Sequence, residues 1–443
     1  MASLNSSYRY LLKGSALTFF VSVARMGLGF ALNLALARLM PVKEFGKFSF
    51  LMSAVTFLCI PVKMGLDSSA VRFISEFRTR PSGALEIGFV RVGVIFIACA
   101  TMVLAILAEP ISWMPSFPGH RWTKLVLSHV LLLSLLSFVS ACLLGKKCLF
   151  AGTFIEGVVR HLAFLSSLLI CYQFSRTSFD LELVGLLSAT SLAVALLGAT
   201  LVAKFATKSA EKPIASYRVK EWLRTSAALF LVSSFHLVLK QSDLLMLGVL
   251  GRIEDVGIYG VASRLSDLCA FGLGVTAVVA NPKLAEAFYS GNRLELIRTA
   301  RFVSKLGFLS GSLFAILLAL LAKPILSLYG EQFLKGKVVL IIFLVGQALL
   351  SVTSVVGYLL NMTGNENENA KALFLAALVN IALNPILILF LGMEGAAIAT
   401  LMSQILWQVL ALRAVKVRLA FNPIWIAGDY GGKTCDETSK KTT

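Results

Sequence analysis

The sequence is poor in charge and has no polar stretch long enough to form a soluble domain. Only 14% of its 443 residues are charged, whereas 57% are hydrophobic. Soluble domains have about 25% charged and about 45–50% apolar residues. Apolar runs of roughly 18 to 25 residues recur along the chain, each long enough to cross a bilayer as a helix. The composition therefore excludes a soluble enzyme and indicates an integral membrane protein.

Signatures of catalysis, metal binding and disulfide bonding are also missing. The chain contains neither H-E-x-x-H nor G-x-S-x-G, and Gly432-Lys433-Thr434 lacks the earlier glycine of a phosphate-binding loop because Ala427 stands there. The seven cysteines fall mostly inside apolar runs without framework spacing, which indicates free thiols. We expect no enzyme activity, no catalytic residue, no metal site and no cofactor, with a coupling proton or sodium ion left open.

The charge that is present is mostly positive, with 41 Lys and Arg against 23 Asp and Glu. The basic residues lie between the apolar runs and form no compact stripe with interleaved aromatics, so nucleic acid is not an expected partner. They concentrate on one side if both chain termini are cytoplasmic, which fits the positive-inside rule. The lipid bilayer is the partner that this distribution indicates.

About twelve spans are predicted, at residues 15–37, 47–65, 87–108, 122–144, 153–173, 183–203, 225–249, 256–279, 302–322, 338–360, 372–391 and 395–415. The basic connection Lys204–Arg224 divides the chain near its middle. We therefore predict an N-terminal lobe at 1–209, a C-terminal lobe at 210–417 and a polar, disordered tail at 418–443.

The two halves align when one is shifted by 211 residues. This shift places Ser22 on Ser233 and Arg25 on His236, and later loop landmarks keep the same order. Such self-similarity predicts an internal repeat. Six helices in each copy make the repeat parallel, related by an axis along the membrane normal.

Ionisable residues inside the apolar runs are the functional candidates, because a charge at membrane depth is costly. One face of the seventh run carries Ser226, Ser233, His236, Lys240 and Asp243. The eighth run carries Arg264 and Asp267 beside glycines. Lys240 with Asp243, and Arg264 with Asp267, have i,i+3 spacing, which suits local ion pairs as well as a transport role. His236 can carry a proton or act as a hydrogen-bonded core residue.

The first run has a matching polar stripe, formed by Ser15, Thr18, Ser22, Arg25, Gly29 and Asn33. Arg25 has no acidic residue within four positions, so we expect its partner on another helix, in water or on a ligand. A planar guanidinium suits phosphate. The alternatives to ligand contact are that backbone carbonyls cap Arg25 or that Arg25 pairs with Asp67. In the fifth run, the i,i+4 spacing of Glu156 and Arg160 predicts a structural ion pair.

Several stretches resemble the polysaccharide flippases of the multidrug/oligosaccharidyl-lipid/polysaccharide exporter superfamily, especially bacterial O-antigen-type flippases. They are LARLMPVKEFG at 36–46, GLDSSAVRFISE at 65–76, DLLMLG at 243–248, VGIY at 256–259 and GAAIAT at 395–400. The resemblance covers nearly the whole chain. It implies an all-α polytopic membrane protein with two pseudo-symmetric six-helix lobes around a central cavity that opens alternately to each side.

The resemblance also implies a function: moving an isoprenoid-pyrophosphate-linked oligosaccharide, the repeat unit of an O-antigen or other lipopolysaccharide, across the bacterial inner membrane. Polysaccharide assembly proteins are the further partners expected. Cationic cavity residues would hold the pyrophosphate, a role that Arg25 and Arg264 fit by position. Lys240 and Asn33 join the substrate-binding candidates from the helix pattern alone. Asp243, Asp267 and His236 are candidates for coupling or for structural ion pairs.

Two other classes stay open. A drug or cation antiporter of the same architecture would need acidic cavity residues to bind cations. A membrane-embedded glycan polymerase or ligase would need a large external loop with catalytic groups, but the connections at 109–121 and 323–337 are short.

The orientation can be tested by thiol labelling of intact cells. We predict that a cysteine introduced at Ala210 stays unlabelled by an impermeant reagent, whereas one introduced between residues 323 and 337 reacts. Labelling at Ala210 from outside would contradict the orientation.

Overall fold

A computed structural model describes residues 2–79, 83–112, 120–146, 148–174, 179–206, 214–270, 280 and 283–425. Within these ranges every regular element is helical. The part of the predicted tail from residue 426 onward lies outside them.

The described residues of the first half of the chain form eight helical segments. They are α1 (Ala2–Leu39), α2 (Val42–Lys63), α3 (Leu66–Thr79), α4 (Gly83–Ser112), α5 (His120–Gly145), α6 (Leu149–Phe154), α7 (Arg160–Phe174) and α8 (Leu181–Ala206). A single π-helical turn, Ile155–Val159, joins α6 to α7 without a break.

In the second half, the part of the chain that the structure describes contains seven longer segments and several short turns. The segments are α9 (Val219–Leu250), α10 (Ile253–Asp267), α11 (Arg293–Leu320), α12 (Ala322–Tyr329), α13 (Lys337–Ser351), α14 (Val355–Met362) and α15 (Glu366–Leu419). The shorter helical pieces are Leu268–Ala270, 283–289 and Glu331–Gly336.

The helices coincide with the predicted spans. Among the described residues, nine helices are long and apolar enough to cross a membrane. One of them, α15, has 54 residues and is interrupted at Gly392, where φ is 60° and ψ is −133°. The break lies between the predicted spans 372–391 and 395–415, so α15 corresponds to both. The predicted spans at 225–249 and 256–279 coincide with α9 and with α10, although residues 271–279 lie outside the described ranges.

Apolar side chains face outward along the long helices. On α4, the exposed large hydrophobics Ile95, Met102 and Ile106 follow helical spacing on one side. Such a stripe is unfavourable in water but suits contact with lipid, because hydrocarbon and aliphatic side chains are equally apolar. The protein is therefore a multi-pass membrane protein.

Two compact units emerge from the packing. The first contains Met1–Val261, Pro324–Gly336 and Ile388–Met393. At its centre α5 packs against α2, α3, α4 and α8, and α9 packs against α2 and α3. The second contains Ala262–Lys323, Lys337–Leu387 and Glu394–Thr443, and there α11 packs against α13 and α14. The lobe boundary predicted at residue 209 lies outside the described ranges and stays a prediction.

Helix ends in the two halves recur at the predicted shift. Helices α1 and α9 end at Leu39 and Leu250, and α2 and α10 begin at Val42 and Ile253. Both pairs are 211 residues apart. The repeat seen in the sequence is therefore also present in the secondary structure.

The turn between α2 and α3 touches α9 without room for a side chain. Met64 and Gly65 both adopt positive φ there, at 43° and 75°. A β-carbon at Gly65 would lie 2.3 Å from the Ser226 carbonyl oxygen. Next to this contact the hydroxyl groups of Ser69 and Ser226, both buried, are 2.7 Å apart. The N-terminal part of α9 therefore packs against α3 through Ser69 and against the backbone of the turn at Gly65.

Alanine substitutions at two glycines test this contact. Gly65→Ala should lower the free energy of unfolding by about 2 kcal/mol or more, because it combines a left-handed backbone with a steric clash. Gly27→Ala is the matched control on α1, where a β-carbon meets nothing within 4 Å, and it should raise stability by about 0.5–1 kcal/mol. Thermal unfolding of the purified protein in detergent measures both, and an unchanged Gly65→Ala variant would contradict the packing.

Candidate functional site

The candidate site forms where α1 passes the π-helical turn. Gly157 lies in this turn, and a β-carbon added to it would be 2.9 Å from Cδ of Arg25. The aliphatic stem of Arg25 therefore lies directly against the Gly157 backbone. A π-turn inserts one extra residue into a helix and is frequent at functional sites. Arg25 belongs to the candidate span Phe20–Leu39, and the π-turn to Phe150–Phe174.

Two more nitrogen-bearing side chains follow the π-turn. Nδ1 of His161 lies 2.6 Å from the Gly157 carbonyl oxygen, so Nδ1–H donates to it and the ring is held in place. A β-carbon at Gly29 would lie 3.9 Å from Nε2 of His161, which places this nitrogen on the α1 side. The charge of Arg25 acts on both Arg160 and His161.

Neither guanidinium is paired within the described part of the chain. No hydrogen bond or ion pair there involves Arg25 or Arg160, although each guanidinium offers five donors. The predicted Glu156–Arg160 ion pair is wrong as a direct contact, because residues 155–159 are π-helical and i,i+4 neighbours no longer have α-helical geometry. The Glu156 charge still attracts Arg160 from a distance.

An ion pair between Lys63 and Asp67 also interacts with Glu156. Nζ of Lys63 lies 2.7 Å from Oδ2 of Asp67 and 3.4 Å from Oγ of Ser137. Glu156 also acts on Lys63. Oδ1 of Asp67 accepts from the backbone N–H of Ser68 at 2.8 Å. Both carboxylate oxygens of Asp67 therefore have partners, the Lys63 ammonium and the backbone N–H of Ser68. This contradicts the alternative that Asp67 neutralises Arg25.

The cluster has an excess of positive charge. It contains three cations, Arg25, Arg160 and Lys63, and two carboxylates, Asp67 and Glu156. Since Lys63 and Asp67 neutralise each other, the two arginines share the single remaining carboxylate. This arrangement can attract an anion and can donate several hydrogen bonds to it.

The other predicted site residues of the first compact unit have different surroundings. Nδ2 of Asn33 donates to the Gly29 carbonyl at 2.7 Å. His236 and Lys240 are exposed and interact electrostatically with each other. Asp243, by contrast, is 3% exposed and accepts a hydrogen bond of 2.5 Å from the Tyr259 hydroxyl. Lys240 and Asp243 therefore lie in different environments, and their functional roles stay predictions.

Arg264 and Asp267 belong to the second compact unit. Arg264 is exposed and Asp267 is partly buried, both at the end of α10. Their roles also stay predictions. Across the ranges that the structure describes, no group of three His, Cys, Asp or Glu side chains could hold a metal ion.

Several polar residues near Arg25 were not predicted from the sequence. The i,i+4 spacing assigned Arg160 to a structural pair, and His161 had no predicted role. The signal that could have identified them is a pair of glycines: Gly29 faces His161, and Gly157 faces Arg25. Buried polar links between and within helices were not predicted either. These are His129 with Ser188 at 2.5 Å between α5 and α8, and Asn384 with Asn380 at 2.9 Å within α15.

Solved structures share this fold over nearly the full chain. An inward-facing multidrug resistance MATE family transporter of the MOP superfamily has a TM-score of 0.73 and 13% identity, covering 92% of this chain and 98% of its own. The lipid II flippase MurJ in an inward closed conformation has a TM-score of 0.70 and 15% identity, and the match covers 90% of this chain and 87% of MurJ. A MOP superfamily transporter from Pyrococcus furiosus, with a binding pocket described as of reverse polarity, has a TM-score of 0.63 and 12% identity. That match covers 93% of this chain and 95% of the transporter.

These similarities define the chain as an all-α protein with the two-lobe fold of the MOP exporters, as the sequence predicted. The family model for polysaccharide biosynthesis proteins matches residues 11–288. The chain therefore belongs to the polysaccharide biosynthesis protein family, and the resemblance to the polysaccharide flippases is confirmed. No curated protein matches the chain.

The Lys63–Asp67 pair provides a stability test of the cluster. Asp67→Asn should lower the free energy of unfolding by about 2 kcal/mol, because it leaves a largely buried ammonium without its counter-charge. The exposed pair Arg121–Glu182, with N–O distance 3.1 Å, is the control, and Glu182→Gln should change stability by about 0.5 kcal/mol or less. Equal effects of the two variants in thermal unfolding would show that Lys63 does not depend on Asp67.

Proposed function

We propose that this protein is a flippase that moves an isoprenoid-pyrophosphate-linked oligosaccharide from the cytoplasmic to the outer leaflet of the bacterial inner membrane. The observation that carries the proposal is Arg25. Its guanidinium lies within a candidate span and has no partner among the described residues. Membership of the polysaccharide biosynthesis family supports the glycan part of the proposal, and the fold shared with the lipid II flippase MurJ supports transport.

The physical need for such a protein follows from its substrate. A sugar chain and two phosphates cannot cross hydrocarbon unaided, because their polar groups would lose their hydrogen bonds to water. A polar cluster inside the helical scaffold can replace part of that hydration while the isoprenoid tail stays in the lipid. An arginine without a protein partner is suited to this task, because it gains a partner only when the anion is present.

The net positive charge of the cluster disfavours the antiporter alternative, since a cation would be repelled by Arg25 and Arg160. The fold shared with transporters disfavours a polymerase or ligase. Both termini are proposed to be cytoplasmic. Polysaccharide assembly proteins are proposed as partners that supply and consume the lipid-linked sugar.

A reconstituted transport assay tests the proposal. Vesicles containing only this protein are loaded with a labelled isoprenoid-pyrophosphate oligosaccharide, and its appearance in the opposite leaflet is measured. Arg25→Ala should reduce the rate by about tenfold or more, because a charge-assisted bond to phosphate is lost. Arg25→Lys should restore only part of the rate, because a point charge lacks the guanidinium fork.

Arg121→Ala is the matched control. The Arg121 side chain is 81% exposed, so this substitution removes the same charge at the surface. It should transport at the wild-type rate. Wild-type transport by Arg25→Ala would contradict the role of Arg25. Efflux of a drug or cation from the same vesicles, with no movement of the lipid-linked sugar, would favour the antiporter.

A further inference from the structure

We propose that residues 214–224, here called the linker segment, bind the headgroups of anionic phospholipids at one surface of the membrane. The linker segment leads from the first half of the chain into the second and includes the first turns of α9. The proposal goes beyond the proposed function and does not depend on it, because it concerns the surrounding bilayer and not the transported molecule.

The linker segment lies against the beginning of α4. The backbone N–H of Ser216 donates to the Ala84 carbonyl oxygen at 3.0 Å, and the Ser216 carbonyl oxygen lies so close to Gly88 that a β-carbon there would have no room. Ala84 is in the first turn of the candidate span Gly83–Glu109. The linker segment is therefore level with the end of a membrane-spanning helix.

The length of α9 leads to the same depth. Its 32 residues extend about 48 Å, whereas the hydrocarbon core of a bilayer is about 30 Å thick. Several turns of α9 must therefore project into the headgroup layers. The span predicted from the sequence begins at residue 225, so the turns at 219–224 come before it, where lipid phosphates lie.

The first turns of α9 have an inner and an outer face. Trp222 and Ser226, four residues apart, are 1% and 0% exposed, and the Trp222 ring packs edge-on against Phe89 of α4, with ring centroids 5.3 Å apart. Lys220 and Arg224, also four residues apart, are exposed. Residues at this spacing are neighbours on one side of a helix. The buried tryptophan therefore fixes the two basic side chains on the outside of the protein.

These two cations have no partner within the part of the chain that the structure describes. Neither Lys220 nor Arg224 makes a hydrogen bond or an ion pair there. The adjacent carboxylate, Glu221, lies 3.7 Å from the guanidinium of Arg218. Each Lys or Arg near an anionic bilayer surface strengthens attachment to it, so a lipid phosphate is the counter-charge that this position supplies.

Exposed apolar side chains alternate with the basic ones and identify a lipid as the partner. Ile214, Tyr217 and Val219 are 92%, 53% and 39% exposed. At a bilayer surface such side chains enter the acyl boundary while neighbouring basic groups contact phosphate, and Tyr is enriched at this depth. An acidic protein or a nucleic acid would match the charges but would leave Ile214 in water.

The test measures which lipid contacts the linker segment. Full-length protein carrying Tyr217→Trp is reconstituted in phosphatidylcholine vesicles that contain brominated phosphatidylglycerol or brominated phosphatidylcholine, since bromine quenches tryptophan fluorescence on contact. The protein without this substitution supplies the signal of the five native tryptophans, which is subtracted. Phosphatidylglycerol should bind about five- to thirtyfold more strongly than phosphatidylcholine. About 1 M salt should reduce this preference, because it screens exposed charges.

The variant that removes the site is Lys220→Gln combined with Arg224→Gln, in which the two lipids should bind about equally. Its control is Arg121→Gln combined with Arg252→Gln. These side chains are 81% and 77% exposed, and Arg252 follows the opposite end of α9. The control removes the same charge elsewhere and should keep the full preference for phosphatidylglycerol.

Three outcomes would overturn the proposal. They are absence of quenching by either lipid, equal binding of both lipids before the basic residues are changed, and an equal loss of preference in the control. A second measurement avoids the introduced tryptophan. In detergent, added phosphatidylglycerol should raise the unfolding temperature of the unmodified protein more than phosphatidylcholine does. An excess that persists in the combined Lys220→Gln and Arg224→Gln variant would also contradict the site.

Discussion

The structure depends on one electrostatic constraint: Arg25 lies within a candidate membrane span and has no hydrogen-bond or ion-pair partner among the described residues. A charge in hydrocarbon costs several kcal/mol. Replacing the arginine with an apolar residue would remove this cost. The charge is retained where a ligand provides the missing partner, which is why Arg25 defines the candidate site.

The residues around Arg25 limit the interactions that it can make within the protein. Gly157 fixes the stem of Arg25, and the Gly157 carbonyl fixes the His161 ring. Lys63 and Asp67 pair with each other, so Asp67 does not neutralise Arg25. Behind them, α5 packs against α2, α3 and α8, and α9 is held by the bare turn at Gly65. The contacts at Gly157 and Gly65 thus determine how closely neighbouring helices approach.

The sequence predicted the fold well, because its signals are long and local. Apolar runs gave the spans, and the break at Gly392 falls between two predicted spans. The 211-residue shift found in the sequence also relates the observed helix ends, Leu39 with Leu250, and the observed helix starts, Val42 with Ile253. These signals need no knowledge of which helix touches which.

The candidate site was predictable only in part. Arg25 was found because it had no acidic neighbour on its own helix. Arg160 was missed because i,i+4 spacing with Glu156 predicts an ion pair only in an α-helix, and nothing in the local pattern indicated the π-turn. The buried bond from Tyr259 to Asp243 was missed for a related reason: it joins two helices across a turn, and side-chain partners on different helices leave no periodic signal.

An experimental structure of the full-length protein with a bound isoprenoid-pyrophosphate oligosaccharide tests the role of Arg25 most directly. Pyrophosphate oxygens should lie within about 2.7–3.2 Å of the Arg25 guanidinium nitrogens, with the π-turn at Ile155–Val159 retained. A pyrophosphate bound elsewhere, with Arg25 hydrogen-bonded to backbone carbonyls, would contradict the proposed function.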